Sequence, residues 1–314
     1  MKADAVFEGG GVRGIAFAGA IQAMEEAGVE WQRLAGTSAG AVIAALLAGG
    51  YNSHEVRDLL RELDFSKLRG RTLLHRIPVV GSVVELFIHL GFYKNDYLAE
   101  WIDGVLAEKG IQTFADLPEG KLKIIASDIS NGQLLVLPDD LDRYGMTPRD
   151  VKISTAVKMS TAMPFFFRPV IWKADDGSKS YILDGGLLSN FPIWIYDTDG
   201  EPRFPTFGFR FVKEEIDTGA VIPTPVHLFT NMFRTMLQAH DLRHISEETK
   251  ERTVQIPTGD ISATDFDLSD EEMGCLYQSG YSSAKAFLAS WDFEQHKAKR
   301  MRRAKKPGMK VRVR

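Results

Sequence analysis

A serine bracketed by glycines, Gly36-Thr37-Ser38-Ala39-Gly40, stands between the apolar pair Leu34-Ala35 and an alanine-rich apolar run over 41–48. A hydroxyl attacks poorly until a base removes its proton and donors receive the resulting oxyanion. A G-x-S-x-G turn from strand to helix supplies the placement. It lifts the serine oxygen above the strand ends and aims it at a helix N-terminus. Glycines on either side let strand and helix approach where a Cβ would intrude. A base is available at Asp184, which follows the apolar Tyr181-Ile182-Leu183 and precedes Gly185-Gly186. A carboxylate set there reads either as a turn-forming aspartate or as the partner of an exposed serine. Donors are available from Gly9-Gly10-Gly11-Val12-Arg13-Gly14. Successive glycine N–H groups beside a helix start make an anion nest, and Arg13 either adds charge or pins the loop.

Two other chemistries compete for these residues. Gly9, Gly11 and Gly14 satisfy G-x-G-x-x-G, a dinucleotide fingerprint, but that use needs an acid at the end of the second strand. Gly36-Thr37-Ser38 occupies that place, and no Gly-Lys-Ser/Thr completes a phosphate loop. A Ser-His-Asp triad would take its histidine after the acid, from His227, His240, His244 or His296. None of these stands in a glycine-bounded loop after a strand. A catalytically idle, membrane-associated regulatory module is a third reading.

The elements that must position these groups follow from pattern. Residues 3–8 read as a buried strand, 15–27 as a helix closed by Gly28, and 33–35 as a second strand, giving a parallel right-handed βαβ unit. A helix is expected over 51–67 and another over 95–108. The segment 77–93 is apolar on most sides and interrupted by Gly and Pro; it reads as a buried cap helix or a membrane-facing lid. Residues 121–128 form a buried strand, paired with 133–137 across Asn131-Gly132. A helix over 151–163 ends before Pro164, and the dense Phe165-Phe166-Phe167 patch suits core or an acyl-chain wall. Strands at 170–173 and 180–183, turning at Asp175-Asp176-Gly177, deliver Asp184 to a strand end. A strand over 204–212, a helix over 227–249, a strand over 253–256 and a helix opened by the Ser269–Glu272 capping box complete the chain to about Trp291. Cys275 falls on that helix and is expected to pack.

The 314 residues are 44% hydrophobic and 25% charged, an ordinary globular composition for one α/β domain. A single cysteine excludes a disulfide framework, and no metal-ligand spacing is visible. No signal peptide and no run of about 18 apolar residues is read, so a cytoplasmic, possibly membrane-peripheral place is expected. Ten of the 38 Lys and Arg lie in 297–314 without one acid, so the body is more acidic than the net charge of −4 shows. A basic tail of this kind, taken as flexible, is either a solubilising end or a contact for anionic headgroups. Nucleic acid is not expected, because the acidic body would repel it.

Taken together, Gly9-Gly10-Gly11-Val12-Arg13-Gly14, Gly36-Thr37-Ser38-Ala39-Gly40 and Asp184-Gly185-Gly186, in that order, resemble the patatin-like phospholipases. The resemblance spans roughly 5–212, with further likeness at Ser160 to Pro169 and Asn190-x-Pro192. It implies a three-layer α/β sandwich whose mostly parallel central sheet carries helices on both faces. Separately from the resemblance, which says nothing of the last helix or the tail, a single catalytic domain is expected over 1–296 with a helical part over 213–296, followed by the tail 297–314. The resemblance also implies a Ser–Asp dyad that cleaves carboxylic esters of phospholipids and other lipids, through an acyl-enzyme; no cofactor is expected, and no metal either, since no carboxylate cluster has calcium-loop spacing. In that reading Ser38 is the nucleophile and Asp184 the base. Gly9 to Gly14 form the oxyanion loop, Gly36, Thr37, Ala39 and Gly40 the elbow, and Gly185 and Gly186 the acid motif.

Overall fold

The computed structural model describes residues 1–68, 89–173, 177–198, 200–212 and 247–304, with positions 228, 231, 232 and 235. The expected cap or lid over 77–88, most of the helix expected over 227–249 with His227, His240 and His244, the turn residues Asp175 and Asp176, and 305–314 lie outside them.

A mostly parallel sheet flanked by helices forms the centre. Its strands are β1 (Lys2–Phe7), β2 (Glu30–Thr37), β4 (Leu122–Asp128), β5 (Gln133–Leu137), β7 (Val170–Lys173), β8 (Lys179–Asp184), β9 (Thr206–Val212) and β10 (Thr253–Pro257). Their order is β10-β9-β1-β2-β4-β8-β7, with β5 also on β4. The run from β10 to β4 is parallel; β5, β8 and β7 join antiparallel. Parallel strands covered on both faces are largely apolar; residues 3–7 of β1 are all buried, and the one charge among them, Asp4, is paired with Arg33 at 2.6 Å. Phe7 stacks on Phe209 at 4.8 Å and Phe17 on Phe211 at 4.4 Å, tying β1 and β9 to the first helix.

Helix α1 (Ile15–Glu26) follows β1 and packs along the long helix Asp270–Ser290. Helix α2 (Ala39–Ala48) follows β2 and is buried from Gly40 to Ala48, which explains its uninterrupted apolar sequence. Helix α3 (Ser53–Glu62) starts at an Asn52–Glu55 capping box, shorter at both ends than the expected 51–67. The helix Ile153–Ser160 ends three residues before the expected 163. Its exit is bent by hydroxyls: Thr161 Oγ1 donates to the Val157 carbonyl at 2.8 Å, and the Ala162 carbonyl accepts from Asp184 N–H at 2.9 Å.

Two expectations are corrected. Residues 91–93, expected within the cap helix or lid over 77–93, are a strand, β3 (Gly91–Tyr93), paired in parallel with β6 (Phe165–Phe167) in a separate small sheet. Cys275 is exposed rather than packed. The basic stretch from 297 begins inside a helix, Phe293–Ala304, where Lys297 pairs with Glu201 at 3.1 Å and Lys299 with Glu251 at 3.2 Å. Among the described residues, no helix is long and apolar enough to cross a membrane.

Candidate active site

The register of β4 explains how two distant motifs meet. Ile124 and Ile125 pair with β2 and with β5 at once, so these two strands occupy opposite edges of β4. Ala126 to Asp128 keep β5 but exchange β2 for β8. Strand β2 therefore runs up one edge and stops with Thr37 opposite Ile125, while β8 runs down the same edge and stops with Asp184 opposite Ala126. Ser38, one residue past the end of β2, is delivered beside Asp184, close enough that its side chain helps to draw the carboxyl's pKa down.

Ser38 itself is held at φ 52°, a left-handed conformation that a non-glycine residue adopts at an energetic cost. Its surroundings enforce this. A Cβ at Gly36 would overlap the Gly40 carbonyl, and a Cβ at Gly40 would overlap the Phe7 carbonyl. The turn is thus closed onto α2 and β1 at once. Ser38 N–H donates to Ser160 Oγ at 2.9 Å, and that hydroxyl donates to the Ile125 carbonyl at 2.5 Å. Thr37 Oγ1 donates to the Ser189 carbonyl at 3.0 Å.

Asp184 is 3% exposed. Burial pushes its carboxyl up to about 7, while the hydrogen bond from Gly186 N–H, at 2.8 Å, and the Ser38 side chain pull it down. Gly185 packs against the Ile125 carbonyl closely enough that a Cβ would overlap it, so β8 must end in glycine to reach this depth.

The glycine loop borders the same space, and its N–H groups divide into two sets. Gly9 N–H donates to the Asn190 carbonyl at 3.1 Å, Val12 N–H to the Ala263 carbonyl at 3.1 Å, and Arg13 N–H to the Gly10 carbonyl at 3.4 Å. Gly14 closes the short helical turn Gly11–Gly14. The N–H groups of Gly10 and Gly11 have no acceptor among the described residues. Gly11 has φ 57°, and a Cβ there would also overlap the Ala263 carbonyl. Arg13 pins the loop: its Nε donates to the Gly10 carbonyl at 3.1 Å and its guanidinium lies 4.8 Å over the Phe211 ring.

Three residues with no role assigned from sequence hold these pieces. Besides Ser160, Glu8 at the end of β1 is 5% exposed and accepts from Phe211 N–H at 2.6 Å, Arg210 Nε at 3.3 Å and Asn190 Nδ2 at 3.3 Å. Asn190 Nδ2 also donates to the Gly9 carbonyl at 3.4 Å. An acid closing a buried strand was the signal available for Glu8; Ser160 and Asn190 stood at the edges of segments that resemble the family, but their tertiary partners, and so their roles, were not readable there.

Ser38, Asp184 and the loop line one cavity of about 390 Å³. Its remaining walls are mainly apolar, among them Val12, Ile43, Leu63, Leu98, Met163 and Phe167. Among the described residues no histidine lines it. His296 is buried beside Trp291, on the helix that starts at Phe293. Strand β2 ends in Thr37-Ser38, without the acid a dinucleotide ribose would need.

A family model described as patatin-like phospholipase matches residues 5–197. The uncharacterized protein YqhO of Bacillus subtilis is 41% identical over 294 residues, 93% of this chain and 100% of that protein. The triacylglycerol lipase ptl3 of Schizosaccharomyces pombe is 25% identical over 193 residues, 60% of this chain and 38% of that protein. Among solved structures, VipD from Legionella pneumophila is 20% identical with a TM-score of 0.55, over 92% of this chain and 67% of that one. At that identity the likeness is one of fold.

Proposed function

The chain belongs to the patatin-like phospholipase family, and from that premise we propose that it is a serine lipid acyl hydrolase working through a Ser38–Asp184 dyad on carboxylic esters of phospholipids or related lipids. The observation that carries the proposal is the head-on ending of β2 and β8 along one edge of β4, which joins a strained serine to a buried carboxyl raised to about 7.

In this reading the acyl chain lies against the apolar walls and the ester carbonyl against the glycine loop. Asp184 takes the Ser38 proton as Oγ attacks the carbonyl carbon. A free aspartate, near 3.9, is a weak base for a hydroxyl; one raised toward 7 is far better matched, and at neutral pH a substantial fraction of it is ionised. The oxyanion receives the N–H groups of Gly10 and Gly11. Losing one such donor costs about 3–4 kcal/mol of transition-state stabilisation in a comparable hydrolase. Collapse expels the alcohol, which takes the proton from Asp184. Water, deprotonated by the same carboxylate, then releases the fatty acid from Ser38.

The test combines labelling and turnover. A fluorophosphonate should label the chain at Ser38 and not in Ser38→Ala. A panel of phospholipids, lysophospholipids, triacylglycerol and short p-nitrophenyl esters should show ester cleavage lost in Ser38→Ala and Asp184→Asn. Turnover retained in Asp184→Asn, or no labelling of Ser38, would remove the dyad.

A further inference from the structure

Folding normally hides large apolar side chains, so their display on segments around the cavity calls for a use. Leu90 is 48%, Ile129 48%, Phe165 42% and Ile171 50% exposed. Of the eight large apolar side chains exposed among the described residues, with Met1, Trp194, Leu228 and Met232 the others, these four fall in two pairs. Gly91 pairs with Phe165 across β3 and β6, so Leu90 and Phe165 sit at the same end of that small sheet. The same strand carries Phe167 into the cavity wall, beside Met163. Ile171 pairs with Tyr181 across β7 and β8, and Ile129 N–H donates to the Tyr181 carbonyl at 3.1 Å. These last residues lie beyond Asp184 on β8, past the carboxyl ends of the parallel strands, at the end of the sheet where Ser38 stands.

The backbone supports deliberate display. Only three non-glycine residues among those described have positive φ: Ser38, Leu90 at 59° and Phe165 at 64°. The first is the elbow serine; the other two hold bulky apolar side chains out into solvent. Strain of this kind persists where function needs it.

The basic stretch at the other terminus does not share this end. Lys297 and Lys299 are paired with Glu201 and Glu251, which precede β9 and β10 and so lie at the amino ends of the parallel strands. In the β7–β8 hairpin, Lys173 and Lys179 are matched in sequence by Asp175 and Asp176, so this hairpin carries no net positive charge to draw it to an anionic surface.

We propose that Leu90, Ile129, Phe165 and Ile171 are the surface with which the chain settles on a phospholipid bilayer, setting the Ser38 cavity against the lipid that supplies its substrate. The proposal rests on the lipid-hydrolase reading for its choice of occupant. Contact is by apolar insertion, so it depends little on salt; binding through the basic stretch would fall steeply with salt.

The test uses the full chain carrying Ser38→Ala, so that no lipid is consumed, and sedimentation with phosphatidylcholine vesicles at low and high salt. Leu90→Ser with Phe165→Ser, and separately Ile129→Ser with Ile171→Ser, should each weaken partitioning about tenfold or more, with little change on adding salt. The same pairs in the Ser38 background should keep their melting temperature and their turnover of a soluble short-chain ester, while turnover of vesicle lipid falls. Partitioning unchanged in both pairs, or lost on deleting 305–314 and on adding salt, overturns the proposal. A chain that cleaves the soluble ester but never binds vesicles sinks the surface and leaves the hydrolase. A chain that binds through the rim yet cleaves no ester sinks the hydrolase and leaves the surface.

Discussion

At the scale of the residue, Asp184 links activity to pH and to stability in opposite directions. In the proposed dyad it acts as base only when ionised, so kcat/KM for a soluble ester should rise with pH and level off above a midpoint near 7, set by its burial. For stability, below about 3.9 the carboxyl is protonated in both folded and unfolded chains and contributes no slope. Between there and about 7 the unfolded chain releases its proton while the folded chain keeps it, so folding loses ground as pH rises. Above about 7 the loss is complete. Asp184→Asn, which cannot ionise, should therefore melt higher than the parent at pH 8, by a margin that shrinks to nothing near pH 4. The same substitution should lower turnover by about 10³-fold or more. Melting curves across pH and a single pH–rate profile check both; a parent profile flat through pH 7, or a margin that grows on acidification, contradicts them. The acid motif and the serine turn were legible from local spacing, because glycine next to a chemically able side chain is a short-range signal. The value of the Asp184 carboxyl was not, because it depends on a depth of burial that only the finished sheet sets.

At the scale of the element, the site depends on how strands end. What joins Ser38 to Asp184 is the exchange of β2 for β8 on the edge of β4, a pairing between segments far apart in sequence that periodicity does not display. The small β3–β6 sheet was missed for a related reason: three residues are too few to show alternation, and Phe165-Phe166-Phe167 is apolar at every position. The early end of the helix at Ser160 is set by what its hydroxyl reaches. Ser160→Ala removes the acceptor of Ser38 N–H and the donor to the Ile125 carbonyl in a fully buried place. That should lower stability by about 1–3 kcal/mol and reduce turnover, with Ser160→Thr restoring part of both. Glu8 ties three elements together, through Phe211, Arg210 and Asn190, directly before the loop whose Gly10 and Gly11 face the cavity. Glu8→Gln keeps the shape but changes one acceptor oxygen to a donor. It should lower kcat for a soluble ester about tenfold with KM little changed, since the loop acts on the oxyanion rather than on the acyl chain. A rise in KM alone would assign Glu8 to substrate binding instead.

At the scale of the whole molecule, the family match ends at 197, yet the part of the sheet that carries the glycine loop is completed by later residues. Strand β1 lies between β2 and β9, and β9 in turn carries β10. The helix Asp270–Ser290 lies so close to α1 that a Cβ at Gly280 would overlap the Ala16 carbonyl, and one at Gly19 the Tyr277 carbonyl. Helix α1 begins where the glycine loop ends, so a shift of one helix against the other moves the loop. We propose that 1–296 folds as one cooperative unit and that the late helix is part of the catalytic scaffold rather than an appendage. Two measurements follow. Thermal unfolding of the full chain, followed by far-UV circular dichroism and by tryptophan fluorescence, should give one coincident transition. Gly280→Val, which forces two backbones apart, should lower stability by about 1–3 kcal/mol and reduce kcat, although Gly280 does not line the cavity. A chain cut after Val212 should show no cooperative transition, because β9 loses β10 and α1 loses the cover over Ala16 and Gly19. Two separated transitions, or a stable and active 1–212 fragment, would mean that the later residues merely decorate a domain that is complete without them.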